Sequence, residues 1–328
     1  MRTISVEVDP RSPDPSIIER AADVLRRGGL VAFPTETVYG LGADALAPRA
    51  VMKIFAAKGR PSDNPLILHV SAPEQADPLA RVDDRARRLM GAFWPGPLTL
   101  VLEALPVVPM ETRGGLDTVA LRMPDHPVAS ALIAATGSPL AAPSANTSGR
   151  PSPTDAHAVW DDLHGKIDMI LDGGRVSVGI ESTVIDVSGE RPLLLRPGGL
   201  AREAVEELLG VTLATPDGQG ERRSPGTRYR HYAPTIPVIL WEGDGPLDPC
   251  VAPEAWGSIG VSEPPARFAR ALRFTSMEDY ARGLFAGFRE IEAAGLDGIV
   301  VELPPTDGLG LGLRDRILRA AQKGRATQ

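Results

Sequence analysis

The spacing of apolar positions changes period several times along the chain. Residues 3–8 alternate apolar and polar, the two-residue period of a half-buried strand. Between 16 and 27 the apolar residues Ile17, Ile18, Ala21, Val24 and Leu25 share one helical face, and Gly28 and Gly29 close that helix. Residues 30–33 form a short apolar run bounded by Pro34, which predicts a buried strand ended by a residue with no N–H to donate. A polar and glycine-rich stretch follows, TETVYGLG, at the kind of strand end where open α/β sheets place their ligands. Pro48 opens a helix predicted through residue 57, and 66–70 reads as a strand, so the opening order is β-α-β-α-β.

Further helices are expected at 83–92, 126–135 and 201–209, and further strands at 98–102, 119–121, 140–142, 167–171, 183–187 and 193–195. Strands outnumber helices after residue 98, so the fold class is α/β, with a twisted, mixed, open sheet flanked by helices. The pattern lapses between 212 and 237, where TPDGQGERRSPGTRYRHYAP reads as a linker. Beyond it a strand at 238–241, a long helix at 277–294, a strand at 298–302 and a closing helix at 311–321 predict a smaller α/β domain. The expected division is therefore 1–211, 212–237 and 238–328.

Length and composition narrow the class. The 328 residues, 43% of them hydrophobic, supply enough apolar material for two cores. Aromatics are only 5%, while 34 glycines and 32 prolines imply many stiff loops, which suits an enzyme better than a helical bundle. A net charge of −7 argues against general nucleic-acid binding, because backbone contact needs a cationic surface, although a local basic pocket is compatible with it. Cys250 is the sole cysteine, so an internal disulfide and a thiolate metal cluster are excluded and a reducing, cytoplasmic compartment is expected. The opening residues lack the basic-then-apolar pattern of a secretion signal, and no apolar run is long enough for a bilayer.

The common phosphate, dinucleotide and zinc signatures are absent, so any phosphate chemistry uses another design. What the chain offers instead is a set of polar stretches at strand boundaries. KGRPSDNPL brings Lys58, Arg60 and Asn64 together. A cation at a helix end explains Lys58 by itself, and a histidine inside a strand such as His69 reads first as a core histidine. FWPGPLT is a rigid turn, structural on its own terms. TVALRMP puts Arg122 at a strand end, where a planar guanidinium can grip a carboxylate or phosphate with two bonds. PSANTSGRPS has the donor density of an anion-binding loop, and GIESTV and LRPG lie at two further strand boundaries. Each is weak alone. Together they put Arg60, Arg122 and Arg196 with many hydroxyls at strand ends, which predicts one anionic pocket.

With those stretches in order over residues 15–200, the chain resembles the YrdC-like family, specifically its two-domain L-threonylcarbamoyladenylate synthases, and the linker SPGTRYRHYAP resembles that of the longer form. The resemblance implies a nucleotidyltransferase that joins L-threonine, bicarbonate and ATP into threonylcarbamoyl-AMP, releasing pyrophosphate, for modification of the adenosine beside the anticodon in tRNA. It implies a threonine site of Thr35, His69, Arg122, Ala142 through its backbone, and Ser182. It implies an ATP site of Arg60, Asn64, Thr118, Ser144, Ser152, Arg196 and Tyr232. Lys58 and Arg60, with Arg196, would neutralise phosphate oxygens, and Lys58 and Arg60 are the catalytic candidates.

With no carboxylate cluster in the sequence, Mg²⁺ is expected to arrive on ATP. The implied partners are ATP, L-threonine and bicarbonate, with hand-off to a tRNA threonylcarbamoyl transferase; direct contact with tRNA stays open, and no membrane is expected. Arg228, Tyr229, Arg230, His231 and Tyr232 are expected to cover ATP as a lid. Two alternatives stay open: a carbamoyl-adenylate-forming hydrogenase-maturation enzyme, disfavoured by the single cysteine, and an RNA-binding module, disfavoured by the net charge.

Overall fold

A computed structural model describes residues 2–215 and 232–322. The strands are β1 (Ile4–Glu7), β2 (Val31–Phe33), β3 (Gly40–Asp44), β4 (Ile67–His69), β5 (Leu98–Glu103), β6 (Thr118–Arg122), β7 (Leu140–Ala141), β8 (Met169–Asp172), β9 (Thr183–Asp186), β10 (Leu193–Arg196), β11 (Val238–Trp241), β12 (Trp256–Gly260), β13 (Arg270–Arg273) and β14 (Gly298–Glu302). The helices are α1 (Pro15–Arg26), α2 (Pro48–Lys58), α3 (Asp84–Phe93), α4 (Met110–Arg113), α5 (Pro127–Thr136), α6 (Ala156–Leu163), α7 (Arg202–Leu209), α8 (Met277–Ala293) and α9 (Gly308–Ala321).

Ten strands form one sheet in the order β1-β8-β2-β3-β7-β4-β6-β5-β9-β10. Parallel pairs (β1 with β8, β4 with β6) sit beside antiparallel ones (β3 with β7, β5 with β6), so the sheet is mixed, as the strand-to-helix ratio predicts. Side-chain alternation sends β2 to both faces: Val31 and Phe33 pack with α1 and α5, while Ala32 packs with α2, α3 and α6. Helices thus cover both faces. Local signals set most of their ends. Asp14 and Asp83 cap α1 and α3 by accepting the N–H of Ser16 and of Ala86, and Gly59, Gly137 and Gly210 end α2, α5 and α7 in the left-handed region.

The opening order differs from expectation. It is β-α-β-β-α-β, because Gly40–Asp44 is a strand antiparallel to β2 and not a loop. A Cβ on Gly42 would stand 2.8 Å from the Phe33 ring, and one on Gly40 would stand 3.3 Å from Ala142 Cβ. These glycines make room for neighbours in the sheet, so a glycine-rich strand resembles a turn in sequence. Strands β12 and β13 and the short helices α4 and α6 also go unpredicted.

Four parallel strands in the order β11-β14-β12-β13 form the second sheet, with α8 and α9 packed on it. Its apolar cluster does not stop at the second unit. Val38 and Ile180 from the first unit belong to it, along with Tyr232, Phe285, Leu313 and Ile317.

Candidate active site

A cleft opens where several strand ends of the large sheet converge, lined by Thr35, Arg60, His69, Arg122, Ala142, Ser144, Glu181, Ser182, Arg196 and Tyr232 among others. All three arginines expected to meet an anion reach this cleft. The sheet register assembles its floor. His69 on β4 pairs with Arg122 on β6, which pairs with Thr99 on β5. The Thr99 hydroxyl is 2.7 Å from the Ser182 hydroxyl, which continues the row just before β9.

Arg122 is 4% exposed, and its Nε donates to the Gly96 carbonyl at 3.3 Å. That carbonyl belongs to the proline-rich turn, so the turn holds the arginine. Nη2 lies 2.6 Å from Glu36 Oε2 in a buried ion pair whose atoms are not aligned as a hydrogen bond. His69 is buried, and burial, reinforced by the Arg122 charge, pushes its pKa down to about 3. The imidazole is therefore neutral near pH 7, able to bond a ligand but too weak to serve as a general base; its Nδ1 is buried without a partner.

Thr35 closes a turn. Its hydroxyl donates to the Val38 carbonyl at 2.7 Å and accepts the Val38 N–H at 3.2 Å. The Ala142 N–H donates to Ile67 O at 2.9 Å, so a backbone contact to a ligand falls to its carbonyl. Arg196 Nη2 donates to Ser182 O at 2.8 Å, which ties the end of β10 to the start of β9.

The remaining sequence candidates divide. Arg60 lines the cleft and donates to Pro65 O at 3.1 Å. Asn64 is wholly buried with both amide atoms unpartnered, and the Thr118 hydroxyl is likewise buried and unpartnered. A folded protein rarely leaves three such atoms in one region unless a ligand satisfies them. Ser144 lines the cleft, and its hydroxyl donates to Asn146 Oδ1 at 2.5 Å. Ser152 stands behind the wall, 1% exposed, bonded to Glu181 Oε1 at 2.5 Å.

Lys58 is the departure. It does not line the cleft; its Nζ donates to the carbonyls of Ser144 and Asn146, each at 2.5 Å. Burial, aided by Arg60, holds its pKa well below the usual lysine value. This side chain clamps the 144–152 loop, because a buried amino group satisfies its donors on the nearest acceptors. Tyr232 reaches the cleft, with φ at +67°. The other lid candidates, Arg228, Tyr229, Arg230 and His231, lie outside the described residues.

Sequence reasoning gave no role to Glu36, Thr99, Glu181 or Arg316. The first three stand inside stretches it singled out, so attention to the charged or hydroxyl neighbours of each candidate would have found them. Arg316, in the closing helix, carries no local signal. Among the described residues no group of three or more His, Cys, Asp or Glu converges as a metal cage, and no helix is long and apolar enough to cross a membrane.

Comparison with known proteins fits both units. A family model described as telomere recombination, covering Sua5, YciO and YrdC proteins, matches residues 23–198, and one described as the C-terminal domain of threonylcarbamoyl-AMP synthase matches residues 200–322. The chain is 46% identical over 318 residues to the threonylcarbamoyl-AMP synthase of Pyrococcus abyssi, covering 93% of this chain and 94% of that one. It is 43% identical over 324 residues to the Bacillus subtilis enzyme of the same name, covering 94% and 93%. The crystal structure of P. abyssi Sua5 complexed with L-threonine superimposes with a TM-score of 0.89 at 44% identity, covering 98% of each chain.

Proposed function

The chain belongs to the two-domain Sua5/YrdC family of threonylcarbamoyl-AMP synthases, and from that premise we propose how its cleft performs the reaction. The enzyme joins L-threonine, bicarbonate and ATP into threonylcarbamoyl-AMP and pyrophosphate, for threonylcarbamoyl modification of tRNA. The observation that carries the reading is that one cleft unites a neutral hydroxyl- and imidazole-lined floor, anchored by Arg122, with Arg60, Arg196 and Tyr232 on its walls.

Arg122 takes the threonine carboxylate. The Thr35 and Ser182 hydroxyls, neutral His69 and the Ala142 carbonyl bond the amine and side-chain hydroxyl, and a site built around a hydroxyl rejects the analogue lacking it by ~10⁴-fold or more. Arg60, Ser144, Arg196 and Tyr232 on the cleft wall hold ATP, and the resemblance assigns the buried Asn64, Thr118 and Ser152 to the same site. The threonine amine adds to bicarbonate with loss of water. An oxygen of the resulting carbamate attacks the α-phosphorus in line, and pyrophosphate leaves with the bonding electrons of the broken P–O bond. No protein nucleophile is needed. The protein contributes orientation and fixed positive charge in a site where water is scarce.

Arg60 and Arg196 neutralise phosphate oxygens directly, while Lys58 acts one step back by holding the Ser144 loop. Both carboxylates beside the cleft, Glu36 and Glu181, already face arginines, so the donor set favours Mg²⁺ that enters with ATP. The product is a labile mixed anhydride, which fits hand-off to a tRNA threonylcarbamoyl transferase in the cytoplasm.

The test is pyrophosphate release with ATP and each amino acid, with and without bicarbonate. Release requires L-threonine and bicarbonate together; equal turnover with threonine in bicarbonate-free buffer would overturn the order of chemistry.

A further inference from the structure

We propose that Arg316, on the last helix of the second unit, is a positioning residue for the nucleotide, fixing Glu181 and through it Ser152 and Arg196 at the wall of the cleft. The inference rests on the reading that Ser152, Arg196 and Tyr232 belong to the ATP site.

Arg316 is 0% exposed and heads the wholly buried side chains by size. A buried arginine needs its charge met, and here Glu181 of the first unit and neighbouring Asp315 meet it, while Nη2 is buried with no hydrogen-bond partner among the described residues. Nε donates to Glu181 Oε2 at 2.6 Å, and Nη1 donates to the Pro197 carbonyl at 3.0 Å as well as to neighbouring Asp315 at 2.6 Å. The guanidinium carbon also lies 5.2 Å from the centre of the Tyr232 ring, and that ring stacks on Phe285 of α8 at 5.5 Å. The second unit therefore touches the cleft-lining residues Glu181 and Tyr232 through two side chains, one cationic and one aromatic.

Glu181 passes the contact onward. Its Oε1 accepts the Ser152 hydroxyl at 2.5 Å, and the segment that carries it continues into Ser182, whose carbonyl receives Arg196. Backbone packing makes the same connection. A Cβ on Gly312 of α9 would stand 2.7 Å from Gly198 O, and a Cβ on Gly198 would stand 2.3 Å from Glu181 O. Three backbone segments are stacked with no side chain between them, so a displacement of α9 is felt at Glu181.

The charge arrangement gives the contact a purpose. Glu181 has cations on two sides, Arg316 and Arg196. Burial pushes its carboxyl up, but the two guanidiniums and the bonds from Arg316 and Ser152 outweigh it, so the net direction is down. With Arg316 meeting the carboxylate, Glu181 pulls less on Arg196, which stays on the Ser182 carbonyl at the wall of the cleft. Without Arg316, Glu181 either takes a proton and loosens Ser152 or captures Arg196, and each outcome removes a group from the nucleotide.

The experiment is steady-state pyrophosphate release by the full-length chain. Arg316→Met keeps the volume and removes the charge. It is expected to raise the KM for ATP by about tenfold or more, the scale of a lost charge-assisted contact, with the KM for threonine within about twofold of wild type. Adding Glu181→Gln removes the carboxylate that would capture Arg196 but mimics its protonated form, so ATP affinity recovers in the double variant where capture is the cause and stays low where Ser152 has been loosened. If Arg316→Met does not fold, Arg316→Lys and Ser152→Ala probe the two ends of the chain of contacts and show the same ATP-selective rise. Equal losses for both substrates, or no change for ATP in these variants while Arg196→Ala does raise its KM, overturn the proposal. An Arg196→Ala variant with normal ATP KM overturns instead the assignment beneath it.

Discussion

Arg122 meets a carboxylate before any substrate arrives. Its partner Glu36 is 5% exposed, the ion pair lies at 2.6 Å, and neither carboxylate oxygen accepts a hydrogen bond among the described residues. A buried pair of this kind resists the loss of one member, because the survivor is left charged in a poor solvent. Arg122→Ala is therefore expected to do two separable things. It raises the threonine KM by an amount corresponding to about 1.5–3 kcal/mol while sparing the ATP KM, and it lowers stability by about 3–5 kcal/mol. Arg122→Ala combined with Glu36→Gln should regain much of the Tm and none of the threonine affinity. A larger effect on ATP than on threonine would show that the arginine serves the other substrate.

Helix α8 shows how an element joins the two units. Glu292 near its C-terminal end accepts both terminal nitrogens of Arg150, at 2.7 and 2.5 Å, and the Thr235 N–H at 2.6 Å. Burial pushes its carboxyl up, but the bonds from Arg150 and Thr235 prevail and bring the pKa from 4.5 to about 2. A carboxylate depressed in the folded state stabilises fully above its unfolded value and loses that contribution as pH falls through the folded one. Wild type should thus be more stable than Glu292→Gln at pH 6, with the difference in Tm narrowing from about pH 4.5 towards pH 2. A gap that stays constant over that range would mean the ion pair does not report on folding. The element scale also explains a misreading. The glycines of β3 look like a turn because glycine signals loops wherever neighbours are unknown, and here the neighbour is the ring of Phe33.

At the scale of the whole molecule, the second unit backs the site and is docked by close approach. Gly179, at φ +90°, would place a Cβ 2.3 Å from the Arg282 Cα of α8. Gly179→Val should cost about 2 kcal/mol or more through strain and the clash together, and it should weaken ATP use as well, since α8 carries Phe285. Limited proteolysis with parallel kinetics checks both. A variant that keeps wild-type Tm and kinetics would show that the two units need not be in contact. The apolar cluster shared by Val38, Ile180 and the second unit makes the same point: a fragment ending near residue 210 would expose those side chains and leave Glu181 without Arg316.

Most of the architecture was legible in the chain because its causes are local. Apolar runs between breakers mark β2, β5, β8 and β9, one-faced periodicity marks α1 and α8, and glycines just beyond helix ends mark their closure. The candidate residues were legible for a related reason: hydroxyls, amides and arginines cluster at strand boundaries, where side chains leave the ladder and can face a ligand. Burial and partnership were not local. Whether Lys58 meets phosphate or the carbonyls of Ser144 and Asn146, and whether Glu36 and Glu181 stand free or face arginines, depends on residues brought together by strand order and helix docking. Arg316 is the extreme case, since it meets Glu181 across 135 positions of chain. The chain's local pattern determined the strands, the helices and the inventory of polar groups. Only the folded molecule decided which of those groups face the cleft and which hold it in shape, because charge and hydrogen bonding act through space and have no period along the sequence.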